Sequence, residues 1–133
     1  MGAEKFPIVN GNDEVIFFTN NKEELHKLKQ KHRAVHVFIE TFGGGFIIQK
    51  KAEGTENAGK WSSAVSGHVR IGESYSQAAI REIEEEVGLK VSPLELDYVG
   101  RITACPETGY EFISLFSYLA DRKAMLDLIP SVD

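Results

Sequence analysis

Three glutamates near the middle of the chain have the spacing of a cation site. Glu82, Glu85 and Glu86 stand at i, i+3 and i+4, so in a helix their carboxylates share one face. Like charges at this spacing repel, and each exposed pair costs roughly 0.2–0.5 kcal/mol. A hard divalent cation such as Mg²⁺ would offset that repulsion, because it takes oxygen ligands and keeps water and substrate phosphates around it. The triplet therefore indicates metal-assisted phosphate chemistry, and the alternative is a solvated acidic surface helix.

The segment around these glutamates carries the signals of a capped helix. Ser74 followed by Gln77 fits a capping box, in which each residue satisfies a backbone N–H of the other. Gly88 stands where a left-handed residue ends a helix. An apolar stripe at i, i+4 and i+8 is formed by Ala79, Ile83 and Val87. We therefore predict a helix that buries this stripe and leaves the glutamate face open.

The full segment 67–89 reads GHVRIGESYSQAAIREIEEEVGL and follows the pattern G-x5-E-x7-R-E-U-x-E-E-x-G-U, where U is a large apolar residue. Its fixed positions are filled without substitution by Gly67, Glu73, Arg81, Glu82, Ile83, Glu85, Glu86, Gly88 and Leu89. This pattern is identified as a Nudix box, and the chain resembles the Nudix family. A match at so many fixed positions argues against a plain solvated surface helix.

The resemblance assigns roles to the box residues. It implies that Glu82, Glu85 and Glu86 bind Mg²⁺ or Mn²⁺ together with the Gly67 carbonyl. Glu85 and Glu82 are the candidates within the box for the general base, and the sequence does not decide between them. Arg81 is expected to orient a helix glutamate, although an exposed i,i+4 ion pair with Glu85 explains it equally well.

Outside the box, the runs HRAVHVF at 32–38, GKW at 59–61 and VSGHV at 65–69 resemble the branch that contains isopentenyl-diphosphate isomerase. That resemblance places His32, His68 and Glu111 at metal-ligand positions of the isomerase. Without the isomerase chemistry, the two histidines are more simply hydrogen-bonded structural residues. Glu111, and Glu107 in the loop before it, are the candidates for a catalytic base outside the box. For Glu73, a structural and a functional role are equally favoured.

One position separates isomerisation from hydrolysis. The isomerases carry a catalytic cysteine just before the Gly-His pair, and here that position is Ser66. A serine hydroxyl is a poor proton donor or acceptor near neutral pH, whereas a thiol is readily tuned there. The resemblance therefore implies a Mg²⁺-dependent hydrolase that cleaves a diphosphate bond in a nucleoside diphosphate linked to another moiety. Two alternatives stay open: an isomerase-like enzyme, and a non-catalytic nucleotide-binding module.

The composition of the chain limits the kinds of binding partner that it is expected to have. The chain has 133 residues, a formal net charge of −5 and one cysteine, Cys105. An acidic chain is a poor binder of nucleic-acid polymers, so we expect a small nucleotide-derived diphosphate as substrate. No apolar run reaches the length of a membrane span, and the N-terminus lacks a signal-peptide pattern. A single cysteine excludes an intrachain disulfide, and we expect a cytoplasmic protein.

The remaining patterns predict an α/β fold. Residues 1–31 indicate a hairpin around Asn10-Gly11, then a helix from Asn20 or Asn21 to about Gln30 that buries Leu25 and Leu28. Further strands are predicted at 34–42, 46–50, 96–104 and 110–119, with short extended structure at 61–69 and a weak helix at 121–129. We expect one domain over residues 1–133, and the resemblance implies the Nudix α/β/α sandwich with a mixed sheet.

Substrate specificity has no readable pattern, and we expect it in loops 52–60 and 104–110. Lys50 or Lys51 could meet a phosphate, but a solvated strand end is favoured, and Trp61 is expected in the core. Many relatives continue with a covering strand and helix, whereas this chain ends at Asp133. Either Met125–Ile129 or a second subunit must then cover the sheet, so a homodimer is possible.

Overall fold

The computed structural model describes residues 4–41, 43–50, 61–121 and 123–124. Within these ranges the strands are β1 (Phe6–Val9), β2 (Val15–Thr19), β3 (His32–Glu40), β4 (Phe46–Lys50), β5 (Trp61–Ser63), β6 (Val65–His68), β7 (Leu96–Ile102) and β8 (Glu111–Leu119). The helices are α1 (Lys22–Lys27) and α2 (Tyr75–Val87), and single 3-10 turns cover Pro93–Glu95 and Pro106–Thr108. In these ranges the chain is rich in strands, and α1 and α2 stand between groups of them, in agreement with the predicted α/β fold.

The described strands form two sheets, a β1–β2 hairpin and a larger sheet in the order β5-β4-β3-β8-β7, with β6 also paired to β3. β3 and β8 run parallel from His32 opposite Glu111 to Glu40 opposite Leu119. The other pairs in this sheet are antiparallel. The sheet is thus mixed, which confirms the predicted fold class, and its parallel pair brings the start of β3 beside the start of β8.

Helix α2 packs on one face of the sheet. Val35, Val37 and Ile39 of β3 are fully buried and share a core with Ala79 and Ile83 of α2. Because side chains alternate along a strand, the intervening residues of β3 face the other side of the sheet. The predicted apolar stripe of α2 is confirmed, and this packing fixes the helix against β6 and β3.

Both predicted ends of α2 are confirmed. The Ser74 hydroxyl accepts a hydrogen bond from the Gln77 backbone N–H at 3.1 Å, and the Gln77 side chain accepts one from the Ser74 N–H at 2.9 Å. Gly88 has a φ of +76° and donates to the Glu84 carbonyl at 3.0 Å. The helix therefore has a defined start and end, which fixes the rotation of its acidic face.

The N-terminal hairpin is confirmed, but α1 is shorter than predicted. Asn21 accepts from the Glu23 N–H and begins the helix, which ends at Lys27 rather than near Gln30. Leu25 is fully buried, as expected, whereas Leu28 is 56% exposed and the prediction that it is buried is wrong. The reason is local, because Lys29 adopts a φ of +55° that ends the helix and turns the chain toward β3.

Three strand ends differ by two residues from the sequence prediction: β3 spans His32–Glu40 rather than 34–42, and β7 ends at Ile102 rather than at 104. Predictions for Lys51, for loop 52–60 and for Met125–Ile129 lie outside the described residues, as do those for the side chains of Lys50 and Trp61. Among the described helices, none has the length and apolarity needed to cross a membrane.

Candidate active site

Gly67 lies directly against the carboxylate of Glu82. Gly67 is opposite Val35 on β3, in the strand on which α2 packs. A Cβ atom at position 67 would overlap the Glu82 side chain, lying 2.8 Å from its Cγ and closer still to its carboxylate. The close approach of strand and helix therefore requires glycine, and it brings the Gly67 backbone and the Glu82 carboxylate together.

Arg81 is the centre of the acidic face. Its Nη1 donates to Glu82 Oε1 at 2.7 Å and to Glu85 Oε2 at 3.2 Å. Its Nε and Nη2 donate to the two carboxylate oxygens of Glu73 at 2.7 and 3.0 Å, and Nη2 also donates to the His68 carbonyl at 2.9 Å. Burial works against the charged guanidinium, but hydrogen bonds to Glu73 and Glu82 outweigh it and raise the pKa of Arg81. Arg81 therefore makes the predicted i,i+4 ion pair with Glu85 and a second contact with Glu82, and its orienting role stays a prediction.

Glu73 uses its carboxylate to fix the loop before α2. Besides the two bonds from Arg81, Oε1 accepts from the Arg70 backbone N–H at 2.8 Å. Burial would raise the pKa of Glu73, but these hydrogen bonds and the two guanidinium charges hold it below its usual value. Three donors converge on this carboxylate, so its contacts here are structural.

The three box glutamates differ in exposure. The Glu82 side chain is 14% exposed and that of Glu85 48%, while Glu86 is exposed. Glu85 also lies 3.6 Å from Arg70 Nη2. Glu84, between Glu82 and Glu85 in the sequence, is also exposed. The sheltered Glu82 carboxylate lies beside Gly67, and Glu85 and Glu86 are exposed on the same helix. Carboxylate and carbonyl oxygens are hard donors of the kind that Mg²⁺ or Mn²⁺ takes together with water and phosphate.

Glu111 lies in a second cluster with the two histidines. His68 Nε2 is 2.9 Å and His32 Nε2 3.2 Å from Glu111 Oε2. Burial would raise the pKa of Glu111, but the hydrogen bonds and charges of His32 and His68 lower it to about 2. The three ligand atoms lie within 4.8 Å of one another, close enough to share a metal ion. His32 Nδ1 lies 2.7 Å from the Gln30 carbonyl, an acceptor for the Nδ1 proton that leaves Nε2 directed at Glu111, as in histidines that ligate a metal.

His68 connects the two clusters. Its ring contacts Glu111 and its backbone carbonyl holds Arg81. The structure thus brings Gly67, Glu82 and Glu85 together near Arg81. Glu111 is linked to this group indirectly, through its contact with His68. Glu107 is fully exposed at a 3-10 turn, and neither described cluster includes it.

Sequence reasoning missed a network around Asp13. Its carboxylate accepts from Arg33 Nε at 2.7 Å, from the Tyr75 hydroxyl at 2.7 Å and from Arg101 Nη2 at 2.9 Å. These residues belong to β3, α2 and β7, so the hairpin turn is tied to three parts of the larger sheet and its helix. The sequence places Asp13 only near the predicted hairpin turn, because no local sequence pattern indicates partners so distant along the chain.

The mixed sheet, the capped acidic helix and the glycine strand beneath it define an α/β protein of the Nudix type. The Nudix domain profile matches residues 30–126. The chain belongs to the Nudix family.

The curated relatives include both Nudix hydrolases and isopentenyl-diphosphate isomerases, the two enzyme classes that the sequence resembles. Nudix hydrolase 3 of Arabidopsis thaliana is 31% identical over 94 residues, which are 68% of this chain and 12% of that protein. The isopentenyl-diphosphate Delta-isomerase of Serratia proteamaculans is 33% identical over 101 residues, which are 75% of this chain and 54% of that protein. The predicted branch resemblance is confirmed, and the chain spans about half or less of the length of these relatives.

Solved structures confirm the fold. The crystal structure of DR0079 from Deinococcus radiodurans aligns with a TM-score of 0.75 at 22% identity, covering 89% of this chain and 73% of that one. MutT from Aliivibrio salmonicida and Vibrio cholerae aligns with a TM-score of 0.52 at 24% identity, covering 65% and 63% of the two chains.

Proposed function

We propose that the protein is a divalent-metal-dependent hydrolase that cleaves the diphosphate bond of a nucleoside diphosphate linked to another moiety. The observation that carries the proposal is the seating of Glu82 against Gly67 with Arg81 bridging Glu82 and Glu85. This arrangement sits in a complete Nudix box, and Nudix hydrolase 3 is among the relatives.

We assign the metal to Glu82, Glu85, Glu86 and the Gly67 carbonyl, with Mg²⁺ the expected ion. A bound divalent cation there would neutralise phosphate charge and lower the pKa of a water. Arg81 keeps Glu82 and Glu85 aimed at one place, because its other nitrogens are fixed by contacts outside this pair. Positioning of this kind supplies much of the rate in phosphate chemistry.

We assign proton acceptance from the attacking water to a box glutamate, Glu85 or Glu82. Glu111 is a weaker candidate, because a carboxylate with a pKa of about 2 that is engaged by two histidines holds a proton poorly near neutral pH. We therefore give Glu111 a positioning role, in which it orients His68 and, through the His68 backbone, Arg81.

The deciding experiment is a hydrolysis panel with Mg²⁺ and with Mn²⁺. Substrates would cover nucleoside triphosphates, oxidised ones, ADP-ribose, dinucleotide polyphosphates and isopentenyl diphosphate. Glu85→Gln should lower turnover by at least ~10²-fold without unfolding the protein, whereas Glu84→Gln on the same helix should not. An unchanged rate in Glu85→Gln would refute the assignment. Tight nucleotide binding with no turnover would instead favour the non-catalytic module.

The isomerase is the second candidate, because the His32–His68–Glu111 cluster is present and the Serratia relative carries that name. Ser66 argues against it, since this position lacks a thiol. Conversion of isopentenyl to dimethylallyl diphosphate, detected in the same panel, would reverse our preference.

We also propose a homodimer formed through β2. Val15, Ile16, Phe17 and Phe18 are 46–66% exposed, and β2 pairs with β1 but with no other strand in the described part of the chain. An uncharged apolar edge of this kind is a template for pairing with a second copy. Light scattering at micromolar concentration should give twice the chain mass and a Phe17→Lys variant half of that. A clean monomer for the unchanged chain would refute the dimer. Cytoplasmic location stays a prediction.

A further inference from the structure

The central strand β3 changes its neighbour at Phe38. Val37 pairs with Val65 of β6, whereas Ile39 pairs with Ile47 of β4. After Ile47, β4 leaves β3 and pairs with β5 instead. Ligand sites often lie where neighbouring strands diverge. Here the divergence lies along β3, the strand that also pairs with Gly67.

A pocket of about 490 Å³ lies at this divergence, on the face of the sheet opposite α2. Its described lining residues are Phe38, Glu40, Phe46, Val99 and Ser117. Because Val35, Val37 and Ile39 face the helix, alternation places Phe38 and Glu40 on the opposite face. The volume lies within the range of small-molecule sites, roughly 300–1,000 Å³.

The walls of this pocket suit a flat ring. Phe38 and Phe46 meet edge to face, with ring centroids 6.3 Å apart and planes at 73°. Val99, the residue at the register shift in β7, closes a third side. Phe46 and Val99 are 59% and 57% exposed, so an aromatic ligand would cover apolar surface that now faces water.

Among the described lining residues, the polar side-chain groups are the Glu40 carboxylate and the Ser117 hydroxyl. Within the described residues no side chain donates a hydrogen bond to the Glu40 carboxylate. None of the described lining residues has a cationic side chain, so this part of the pocket disfavours phosphate and favours a neutral group with N–H donors. A carboxylate is an acceptor with two oxygens and can take two adjacent N–H groups at once.

We propose that this pocket binds the nucleobase of the substrate and that Glu40 selects guanine, an inference that rests on the proposed hydrolase. Guanine offers two adjacent donors, the ring N1–H and the N2 amino group, to the two oxygens of one carboxylate. Cytosine and adenine place a ring nitrogen lone pair beside the amino donor, and uracil flanks its N3–H with carbonyls. Each of these sets an acceptor against a carboxylate oxygen, which costs binding.

The pocket and the proposed metal site lie a short distance apart along β3. Gly67 lies opposite Val35, and Phe38 is three residues further along β3, roughly 10 Å at about 3.3 Å per residue. The intervening residue on the pocket face is His36, which pairs with Ser66 beside Gly67. The pocket and the α2 carboxylates lie on opposite faces of the sheet, so a nucleotide that reaches both must pass the edge of the sheet beside β6.

The test measures nucleotide binding without metal, so that it does not depend on turnover. GMP, IMP and UMP would be titrated in EDTA and followed by backbone amide shifts. GMP should bind at least about tenfold tighter than UMP, as a bidentate contact is worth, with IMP between them because it lacks the amino group. The largest shifts should fall at Phe38, Phe46 and Val99.

Glu40→Gln should remove most of the preference for GMP, while Glu23→Gln on the surface of α1 leaves it unchanged. Phe46→Ala, at a position already exposed, should weaken all three nucleotides alike. Equal or absent binding of the three, shifts elsewhere, or an unchanged ranking in Glu40→Gln would overturn the pocket. If GMP binds as expected but no substrate is hydrolysed, the hydrolase proposal fails and the pocket stands. If hydrolysis occurs without base preference, the pocket alone fails.

Discussion

Replacing Gly67 by alanine would test the site at its tightest contact. The added methyl would lie 2.8 Å from Glu82 Cγ and closer to the carboxylate, whereas carbon atoms sit comfortably at about 3.5–4.0 Å. The Glu82 carboxylate must therefore move by about 1 Å, and its 2.7 Å bond from Arg81 is strained or lost. A displacement of that size at a catalytic group costs about 10²-fold in rate. We expect kcat to fall by that order and the Mg²⁺ requirement to rise.

The assay compares Gly67→Ala with Gly11→Ala, a control where an added Cβ meets nothing within 4 Å. Turnover against Mg²⁺ concentration separates weaker metal binding from slower chemistry, and thermal unfolding reports the fold. Gly67 does not adopt a positive φ, so the backbone accepts alanine and most of the folded structure should survive. If Gly67→Ala kept the kcat and metal dependence of the parent, the reasoning that links Gly67, Glu82 and the metal would be wrong.

Three further predictions follow from the same contacts. Arg81→Lys keeps the charge but loses the forked geometry, so kcat should drop by about 10-fold or more with little change in KM; steady-state kinetics decides. Glu111 has a lowered folded-state pKa, so it contributes stability above its ordinary value of 4.5 that is lost as pH falls toward about 2. That contribution is at most about 3 kcal/mol, and urea unfolding across this window should show Glu111→Gln losing less stability than the parent. Asp13→Asn keeps a residue that tolerates the φ of +59° but removes the charge facing two arginines, so unfolding should cost about 3 kcal/mol less. A single shifted transition would support one domain that includes the hairpin, and two transitions would contradict it.

Local chemistry made much of this fold predictable. The capping pair of Ser74 and Gln77, the left-handed Gly88 and the apolar stripe specify α2 from neighbouring residues alone. The Nudix spacing placed Gly67 and Glu82 in one site because strand and helix follow each other directly. The bridging of Glu82 and Glu85 by Arg81 was half predicted, as an i,i+4 pair.

Apart from the local error at Leu28, the missed features depend on contacts between distant segments. Asp13 meets Arg101 across 88 positions, and no pattern around either residue announces that pairing. The parallel register of β3 and β8 brings His32 beside Glu111, which composition and periodicity do not encode. Leu28 was misassigned because helical spacing says nothing about where the helix stops, and Lys29 stops it.

Contacts with Arg81 account for the stability of the acidic helix, and the sequence alone did not predict this effect. Repulsion among Glu82, Glu85 and Glu86 indicated that a cation must compensate them. Arg81 already supplies part of that charge, because its Nη1 reaches both Glu82 and Glu85. Its Nε and Nη2 are held by Glu73 and by the His68 carbonyl, so the guanidinium keeps its place whichever ligands a metal takes. The helix is therefore stable before metal binds, and a cation that enters competes with Arg81 Nη1 for Glu82 and Glu85. Metal should accordingly change activity far more than it changes the unfolding temperature, and a large metal-dependent rise in that temperature would show that Arg81 does not act as the internal counter-charge.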